Sequence, residues 1–382
     1  MSAEVTQHAA SAPSAADAPT PLLAVEHLRI YFPVSSSRLL ARSAGHVHAV
    51  DDVTLTLSEG ETLGVVGESG CGKSTLIRGI ARLVPVSSGT VRFRGRDITT
   101  ARRRDLAPVR REMQMVFQDP QASLNPRKRV IQILGTPLAL HGVPRGQVKG
   151  KARELLARVG LDPEHLNRFP HEFSGGQRQR IGIARALAVD PRLILLDEPV
   201  SALDVSIQAQ VINLLDELQD ELGLSYVFVA HDLSVVRHVS DRIAVMYLGK
   251  VMELSPAQEL YLKPIHPYTA ALLGAIPIPD PKENRSRKRM VIGGEPPSPI
   301  TPPVGCRFHT RCPLASEICS TQEPPLAEYA SGHLAACHHP MNVTAQEIAA
   351  ARPSGASPLS ADSVMPKPED AGAPPATHKD EN

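Results

Sequence analysis

The sequence predicts an α/β fold, and two stretches carry that prediction. In the first, the apolar run 63–66 (LGVV) leads into a glycine-rich loop at 67–75 (GESGCGKST), after which a helical pattern opens at Leu76. This strand–loop–helix order is typical of phosphate-binding loops. In the second, the apolar run 193–196 (LILL) has the character of a buried parallel strand and ends in two acidic residues. Because open α/β sheets bind ligands at the carboxyl ends of their strands, both stretches indicate one ligand-binding sheet edge.

The composition of the chain excludes several classes of protein. Its 382 residues allow one large domain, a smaller one and tails. A net charge of +1 gives no reason to expect a nucleic-acid partner. No apolar run approaches the roughly 18 residues of a membrane span, so any membrane role is expected to be peripheral.

Residues 1–21 are rich in Ala, Ser and Pro, which predicts a disordered tail. A basic segment followed by an apolar one is missing there, so no secretory signal is predicted and a cytosolic location is expected. In that compartment the five cysteines are expected to be reduced or metal-bound.

Two strand-like segments precede the glycine-rich loop. They cover residues 22–30 and 47–57, and the polar insertion between them indicates an antiparallel flap. Tyr31 and Phe32 end the first segment. An aromatic ring at this position can stack on an adenine base, and Phe32 fits the expected spacing better. Simple packing at the strand end is the open alternative.

The glycine-rich loop contains the residue types that phosphate binding needs. Its three glycines let successive backbone N–H groups converge on phosphate oxygens, and the following helix points its positive end at them. Lys73 adds a charge for the β- and γ-phosphates, and Ser74 offers a hydroxyl to Mg²⁺. Cys71 is interpreted as a small packing residue, not as a reactive thiol. The predicted nucleotide contacts from this loop are Gly67, Glu68, Ser69, Gly70, Cys71, Gly72, Lys73, Ser74 and Thr75.

Between the two stretches, the sequence predicts further strands and a helix-rich region. Strands are indicated at 89–94 and at 115–117, just before Gln118. Five arginines between residues 102 and 111 form a basic cluster without interleaved aromatic residues. Such a cluster is typical of a solvated helix face and not of a nucleic-acid surface. Residues from about 121 to 188 are rich in helical patterns, and SGGQ at 174–177 opens the last helix.

The acidic strand end and its neighbours supply the candidate catalytic groups. Asp197 can hold Mg²⁺ through water, and Glu198 can polarise an attacking water. Two adjacent acids after a buried strand are costly unless a cation or a substrate compensates them. A helix is predicted over 206–222, and the strand 226–229 leads to His231. Because this histidine reaches the same sheet edge, a γ-phosphate contact is favoured over a structural role.

Taken together, these motifs resemble the ATP-binding cassette (ABC) ATPases. The most specific motif is the signature SGGQ upstream of the acidic strand. The family's motifs also occur here in the family's order: the glycine-rich loop, Gln118, the signature, the acidic pair 197–198, SALD at 201–204 and His231. Over residues 22 to about 255, the resemblance implies a P-loop NTPase nucleotide-binding domain with a RecA-like core sheet, an antiparallel β flap and a helical subdomain at about 121–188. It also implies ATP and Mg²⁺, the metal contacts being Ser74, Gln118 and Asp197. Phe173 departs from the commoner leucine, but both are apolar.

In that family two cassettes pair head to tail. The resemblance implies that Glu198 activates water, that His231 steadies the γ-phosphate, and that Gln118 links Mg²⁺ to the surface facing a permease. It further implies that the signature contacts the ATP bound by the partner cassette through Ser174, Gly175 and Gly176. Gln177 and Asp204 are also predicted as ATP contacts.

The segment after the cassette narrows the resemblance. PIHPYT at 264–269, AIPIPDP at 275–281 and a cysteine-rich stretch resemble the C-terminal extension of oligopeptide and dipeptide importer ATPases, and residues 118–126 agree with that subgroup. The extension is expected to cover 256–340, and 341–382 is predicted to be a disordered tail.

This second resemblance implies the partners and the location. The chain looks like the second of two ATPase subunits, with a sister ATPase, two membrane permeases and, indirectly, an extracytoplasmic peptide-binding protein as partners. It would lie peripherally on the cytoplasmic side of the inner membrane. Importers of nickel or glutathione share this architecture, so the substrate stays open.

Four cysteines lie in the extension with the spacing C-x5-C-x6-C-x17-C: Cys306, Cys312, Cys319 and Cys337. Four thiolates suit either tetrahedral Zn²⁺ or a [4Fe–4S] cluster. C-x2-C pairs are missing, which disfavours a zinc ribbon, and the resemblance implies an iron–sulfur cluster. A reduced structural set remains an alternative, and disulfides are least favoured.

The two resemblances thus imply an ATPase that energises the uptake of dipeptides or oligopeptides. The rival class is a soluble ABC ATPase that acts on DNA or ribosomes. Such proteins usually fuse two cassettes or insert long coiled coils, whereas this chain has one signature and no sustained heptad pattern. A metal-sensing regulator built on the cysteines lacks a DNA-reading element.

Overall fold

Two β-sheets and the helices packed on them form the fold. The computed structural model describes residues 20–34, 45–276, 290 and 292–353, except for the side chains of residues 120 and 121. Nearly all of the predicted N-terminal tail, the flap insertion at 35–44 and the AIPIPDP motif from residue 277 onward lie outside the described residues. Within them, no helix is both long and apolar enough to cross a membrane.

The first sheet is the antiparallel flap. Its strands are β1 (Leu23–Pro33), β2 (His46–Leu57), β4 (Ser88–Phe93) and β5 (Arg96–Asp97), in the order β2-β1-β4-β5. β1 and β2 pair from Leu23 opposite Leu57 to Pro33 opposite His46. The buried residues near the start of β1 alternate with more exposed ones, because one face of the strand covers the core. The predicted flap is confirmed, and β1 runs on to Pro33, beyond the end that the sequence pattern indicates.

The second sheet has a parallel core. Its strands are β3 (Thr62–Val66), β6 (Met113–Val116), β7 (Leu193–Asp197), β8 (Ser225–Val229) and β9 (Arg242–Tyr247). They lie in the order β9-β3-β8-β7-β6 with every neighbouring pair parallel. Every residue of β3, β7 and β8 is buried, as expected of strands that are covered on both faces. The carboxyl ends of β3 and β7 therefore reach one sheet edge, as the sequence predicts.

The helices connect the strands and cover the sheets. They are α1 (Lys73–Ile80), α2 (Ala107–Glu112), α3 (Pro120–Ser123), α4 (Val130–Leu140), α5 (Arg145–Arg158), α6 (Gly175–Leu187), α7 (Val205–Leu222), α8 (Leu233–Val239), α9 (Ala257–Leu262), α10 (Pro267–Ala275), α11 (Glu317–Thr321) and α12 (Ala345–Ala350). Short 3₁₀ turns lie at Pro163–Asn167, Pro170–Glu172 and His309–Arg311. Helices α3 to α6 all lie between β6 and β7 in the chain.

The parallel sheet separates two hydrophobic cores. Ile194 and Leu196 of β7 belong to one core, and Leu193 and Leu195 belong to the other, because successive side chains of a strand point to opposite faces. The first core contains apolar residues of α4 to α7 and also Phe308. The second lies between the sheet, the flap and α1. The C-terminal segment therefore shares a core with the helices of the cassette.

The core sheet continues into the C-terminal segment. β10 (Lys250–Pro256) pairs antiparallel with β9, and β12 (His333–Ala335), β11 (Ala327–Ala330) and β13 (Arg352–Pro353) follow beyond it. Pairing with β12 covers an edge of β10 that would otherwise present unpaired backbone groups. Strands of two to four residues are too short to show the alternation by which strands are recognised, so the sequence does not reveal this continuation.

Residues 341–353 differ from the predicted disordered tail. The hydroxyl of Thr344 accepts a hydrogen bond from the N–H of Glu347 at 3.2 Å, and the Glu347 carboxylate accepts one from the N–H of Thr344 at 2.5 Å. This capping box starts α12, after which β13 pairs with β11. The T-x-x-E signal is present in the sequence, but the Ala- and Pro-rich composition around it favours a tail. Residues from 354 onward lie outside the described part of the chain.

Candidate functional site

The glycine-rich loop joins β3 to α1 in the narrow space between the flap and the sheet. Gly67 and Gly72 have φ angles of 152° and 108°, which a residue with a side chain rarely adopts. A Cβ atom on Gly72 would lie 2.0 Å from the carbonyl oxygen of Ala49, and one on Gly67 would lie 2.2 Å from that of Met246. Glycine is therefore required at both positions by the backbone angle and by the neighbouring strands.

Lys73 is held inside the loop. Its ammonium group donates to the carbonyl oxygens of Gly67 at 2.7 Å and Glu68 at 3.1 Å, and only 4% of the residue is exposed. Ser69 and Gly70 at the tip of the loop are exposed. Cys71 is buried, and this burial raises the pKa of its thiol. That environment is consistent with a packing role for the cysteine.

Ser74 and Asp197, both predicted as magnesium contacts, lie side by side. The hydroxyl of Ser74 donates to Oδ1 of Asp197 at 2.7 Å, and the guanidinium of Arg78 donates to Oδ2 at 3.1 Å. Hydroxyl and carboxylate oxygens are the donor types that Mg²⁺ prefers, so this pair fits the ion. Asp197 is fully buried, and Arg78 compensates its charge.

Arg78 is a residue that sequence reasoning missed. It follows Ser74 by four positions on α1, so both side chains lie on the same helix face. This spacing is the signal that could have identified it.

Gln118, Glu198 and His231 converge at the end of β7. The Gln118 amide donates to Oε2 of Glu198 at 2.8 Å, and Nδ1 of His231 lies 4.0 Å from the same oxygen. Glu198 and His231 line a small cleft together with Ser201, Gln208 and Asp232. The structure thus brings the three predicted catalytic residues together, with Gln118 bonded to Glu198 and not to the Ser74–Asp197 pair.

The backbone of Glu198 is unusual. Its φ angle of 46° lies in the left-handed region, which is uncommon for a residue with a side chain. The N–H of Glu198 donates to the carbonyl of Val229 at the end of β8, and its own carbonyl accepts from the hydroxyl of Ser201. Strain of this kind persists where neighbouring contacts fix it, and it often occurs at functional sites. Here it sets the direction in which the carboxylate leaves the strand.

The signature forms the start of α6. Ser174 is the N-cap: its hydroxyl accepts from the N–H of Gln177 at 3.3 Å, and the Gln177 side chain accepts from the N–H of Ser174 at 3.0 Å. A Cβ atom on Gly176 would lie 2.4 Å from Cγ2 of Ile207 on α7, so the two helices touch at this glycine. Ser174 and Asp204 are exposed, while Gly175 and Gln177 are half-buried.

The two aromatic residues of β1 have different surroundings. The hydroxyl of Tyr31 donates to Asp51 at 2.5 Å, and the Tyr31 and His48 rings are 4.3 Å apart. Burial, with help from the bond to Asp51 and the charge of that residue, raises the pKa of Tyr31 to about 12. Phe32 is half-buried and packs against the core beneath the flap. An adenine contact stays a prediction for both.

The four cysteines of the extension are free thiols within one region. Cys306 and Cys319 are buried, and Cys312 and Cys337 are half-buried. Burial and mutual repulsion of thiolates raise the pKa of Cys306 to about 11 and that of Cys337 to about 12. Thiols suit zinc or iron as ligand types. In the described part of the chain, however, no group of three or more His, Cys, Asp or Glu residues has the arrangement of a metal site.

Comparison with known proteins identifies the family. The family model described as ABC transporter matches residues 50–201, and the model described as Oligopeptide/dipeptide transporter, C-terminal region, matches residues 252–319. The oligopeptide transport ATP-binding protein AppF of Bacillus subtilis (strain 168) is 55% identical over 319 residues, which are 83% of this chain and 97% of AppF. The chain belongs to the ABC transporter ATPases.

Further ABC proteins agree with this assignment. The oligopeptide transport ATP-binding protein OppF of Salmonella typhimurium is 51% identical over 319 residues, covering 83% of this chain and 95% of OppF. Among solved structures, the ATP-binding cassette MJ0796, a dimer in a post-hydrolysis state bound to ADP and Pi, is 29% identical with a TM-score of 0.54. It aligns over 62% of this chain and 98% of its own. The predicted fold class and the predicted ATPase family are therefore confirmed.

Proposed function

We propose that this ABC ATPase is the energy-supplying subunit of an importer that carries dipeptides or oligopeptides across the cytoplasmic membrane. The observation that carries the ATPase part is the convergence of Gln118, Glu198 and His231 at the sheet edge where Ser74 meets Asp197. The importer part is supported by the match of residues 252–319 to the oligopeptide/dipeptide transporter C-terminal region and by the relatives AppF and OppF.

ATP would bind along the loop 67–75, and Ser74, Asp197 and Gln118 would hold Mg²⁺. The ion, when bound, neutralises charge on the phosphates. Glu198 orients a water molecule and accepts its proton, while the Gln118 amide fixes the carboxylate. His231 contacts and orients the γ-phosphate. The ATP contacts in the loop would be Gly67, Glu68, Ser69, Gly70, Cys71, Gly72, Lys73 and Thr75, with Phe32 or Tyr31 against the adenine.

Hydrolysis in this proposal requires a second cassette. The start of α6 would contact the ATP of a sister ATPase through Ser174, Gly175, Gly176 and Gln177, and Asp204 at the start of α7 would be a further ATP contact. Backbone N–H groups at a helix start add electrostatic stabilisation to the transferring phosphate. Two permeases in the cytoplasmic membrane would carry the pair of cassettes on their cytoplasmic side, and an extracytoplasmic binding protein would deliver the peptide.

The experiment that tests this function is capture of the subunit from gently solubilised membranes. Glu198→Gln with ATP is used to retain the closed pair of cassettes. Recovery of two permeases and a sister ATPase supports the importer, and the associated binding protein is then screened against peptides, glutathione and nickel. Recovery with ribosomes or DNA-binding proteins and without a permease contradicts it.

We further propose that Cys306, Cys312, Cys319 and Cys337 bind a [4Fe–4S] cluster, with Zn²⁺ as the alternative. Four thiols in one region support this, and the sulfurs would have to turn toward a common point. Anaerobically purified protein is expected to contain about four iron and four sulfide per chain, or about one zinc. Protein that contains neither metal contradicts the proposal. The expected loss of metal on replacing Cys306 by Ser gives a second measurement.

A further inference from the structure

Two residues of the C-terminal segment bind the glycine-rich loop at one place, Glu68. The N–H of Glu68 donates to the hydroxyl of Tyr268 at 3.0 Å. The carboxylate of Glu68 accepts two bonds from the guanidinium of Arg311, at 2.7 Å and 3.2 Å. Such a two-pronged pair fixes both distance and orientation. Both the backbone and the side chain of Glu68 are therefore held by residues that follow it by 200 positions or more.

Arg311 and Tyr268 are themselves held firmly. The Arg311 side chain is only 8% exposed, its Nε donates to the carbonyl of Gly293 at 3.1 Å, and one terminal nitrogen donates to the hydroxyl of Tyr247 at 3.3 Å. Tyr268 is fully buried, with its ring 4.9 Å from that of Tyr247 and 5.2 Å from that of Phe308. Fixed, buried hydrogen-bonding groups of this kind can position a loop, whereas mobile surface side chains cannot.

The contact extends from Glu68 to Lys73, the residue proposed to bind the phosphates. Lys73 donates to the carbonyls of Gly67 and Glu68, so the Gly67–Glu68 peptide unit that Tyr268 anchors, and the unit that follows it, hold the lysine ammonium. Glu68 is in addition a negative charge within a loop that must accept a polyphosphate. A carboxylate there repels the phosphates unless a cation neutralises it, and Arg311 is that cation.

We propose that Arg311 and Tyr268 are positioning residues for the phosphate-binding loop and that the C-terminal extension thereby sets the affinity of this cassette for ATP. The proposal rests on the proposed role of loop 67–75 in binding ATP. Neither residue touches the reacting atoms; both act through Glu68. A cassette with an unmodified loop and a displaced extension would bind ATP weakly, because the charge of Glu68 would no longer be compensated and its side chain would no longer be held.

The test is the dissociation constant for a non-hydrolysable ATP analogue with Mg²⁺, measured by titration of the full-length chain. Arg311→Gln is expected to raise it about tenfold, since it removes a charged, two-pronged bond and leaves Glu68 unneutralised. Arg311→Lys keeps the positive charge but cannot form the two parallel hydrogen bonds, and it is expected to raise the dissociation constant about threefold. Tyr268→Phe removes only the neutral bond to the loop N–H, and about threefold is again expected.

The double variant Arg311→Gln/Glu68→Gln separates the effect of the uncompensated Glu68 charge from the effect of lost packing. Removing both charges is expected to recover at least half of the lost binding energy, because the repulsion of phosphate disappears. In ATP hydrolysis, the loss in Arg311→Gln is expected in KM more than in kcat. The matched control is Glu323→Gln, which removes the charge from another contact between extension and cassette, the 2.6 Å pair with Lys250, in which Glu68 takes no part. It is expected to bind the analogue within about twofold of wild type.

The outcomes discriminate between the proposal and its premise. If Lys73→Ala loses affinity while Arg311→Gln and Arg311→Lys bind as wild type and only melt at lower temperature, the extension has a purely structural role and this inference is overturned. If Lys73→Ala also binds as wild type, the loop is not the ATP site and the proposed function fails with it. Equal weakening by Glu323→Gln would attribute the effect to general loosening of the extension and would also overturn the inference.

Discussion

At the scale of single residues, the site is defined by what surrounds Glu198. The residue leaves a fully buried strand with a left-handed backbone, Gln118 donates to its carboxylate, and Nδ1 of His231 lies 4.0 Å from the same oxygen. Asp197, the residue before it, is turned to Ser74 and Arg78 instead. Because the strand ends at Asp197 and the backbone turns at Glu198, the two adjacent acids point to different partners. In the proposed function Asp197 would hold Mg²⁺ and Glu198 would face the attacking water.

The separate roles proposed for Asp197 and Glu198 predict the effect of Glu198→Gln. The amide keeps the size of the side chain and one hydrogen-bond acceptor, but it cannot accept a proton from water. Turnover is expected to fall by about 10²- to 10⁴-fold, the usual contribution of a general base, while ATP still binds. Steady-state hydrolysis combined with an ATP titration measures both effects. Turnover near the wild-type rate would remove Glu198 from this role.

At the scale of elements, short motifs acquire physical reasons from the packing. In PIHPYT, His266 caps α10 by accepting from the N–H of Tyr268 at 3.0 Å, Pro267 occupies the first helical position, and Tyr268 reaches the loop at Glu68. In SGGQ, Ser174 and Gln177 form a capping box. Gly176 lets α6 approach α7 closely, so the signature is oriented by a helix–helix contact as well as by its cap.

The contact between α6 and α7 predicts that Gly176→Ala destabilises the protein. The added methyl group would lie 2.4 Å from the Cγ2 methyl carbon of Ile207, so the Ile207 side chain or one of the two helices must shift. We expect a cost of about 1–3 kcal/mol in the free energy of unfolding, together with reduced ATP hydrolysis. Urea unfolding measures the first and steady-state turnover the second.

Gly182 provides the matched control on the same helix. A Cβ atom there meets no atom within 4 Å, and alanine is the better helix former, so Gly182→Ala is expected to be neutral or stabilising by up to about 1 kcal/mol. Equal stability of the two variants would show that the close approach at Gly176 does not constrain α6.

At the scale of the whole molecule, the sequence predicts the cassette far better than the attachment of its C-terminal segment. The parallel strands, the flap and the clustering of Ser74, Asp197, Glu198 and His231 follow from local patterns, because long apolar strands and strand-end motifs are visible within a few residues. The attachment depends on contacts between distant parts of the chain. The pairing of β12 with β10 and the Arg311–Glu68 contact leave no local pattern, since each partner alone reads as an ordinary polar or short segment.

The attachment is built around Glu253, a fully buried acid on β10. Its carboxylate accepts from the N–H groups of Ile265 and His266 at 2.8 Å and 2.9 Å and is 2.7 Å from Nε2 of His333. These bonds join β10, the start of α10 and β12. Buried charges are tolerated only when such partners are present, so this cluster fixes how the extension sits on the sheet.

The same cluster gives the molecule a predicted pH dependence. Burial, opposed by attraction to Glu253, lowers the pKa of His266 from 6.5 to about 4. Below pH 6.5 the unfolded chain therefore binds the proton that the folded one excludes, and stability falls as the pH drops toward 4. Urea unfolding is expected to show that this residue lowers the free energy of unfolding by about 2 kcal/mol between pH 7.5 and pH 5.

Two variants test this assignment. His266→Asn keeps a capping oxygen without titrating, so it should lack this part of the loss. His238→Asn, at an exposed histidine of α8, should retain it. Glu253 and His333 are present in the wild type and in both variants. Equal losses of stability in all three proteins would therefore show that the pH dependence does not come from His266.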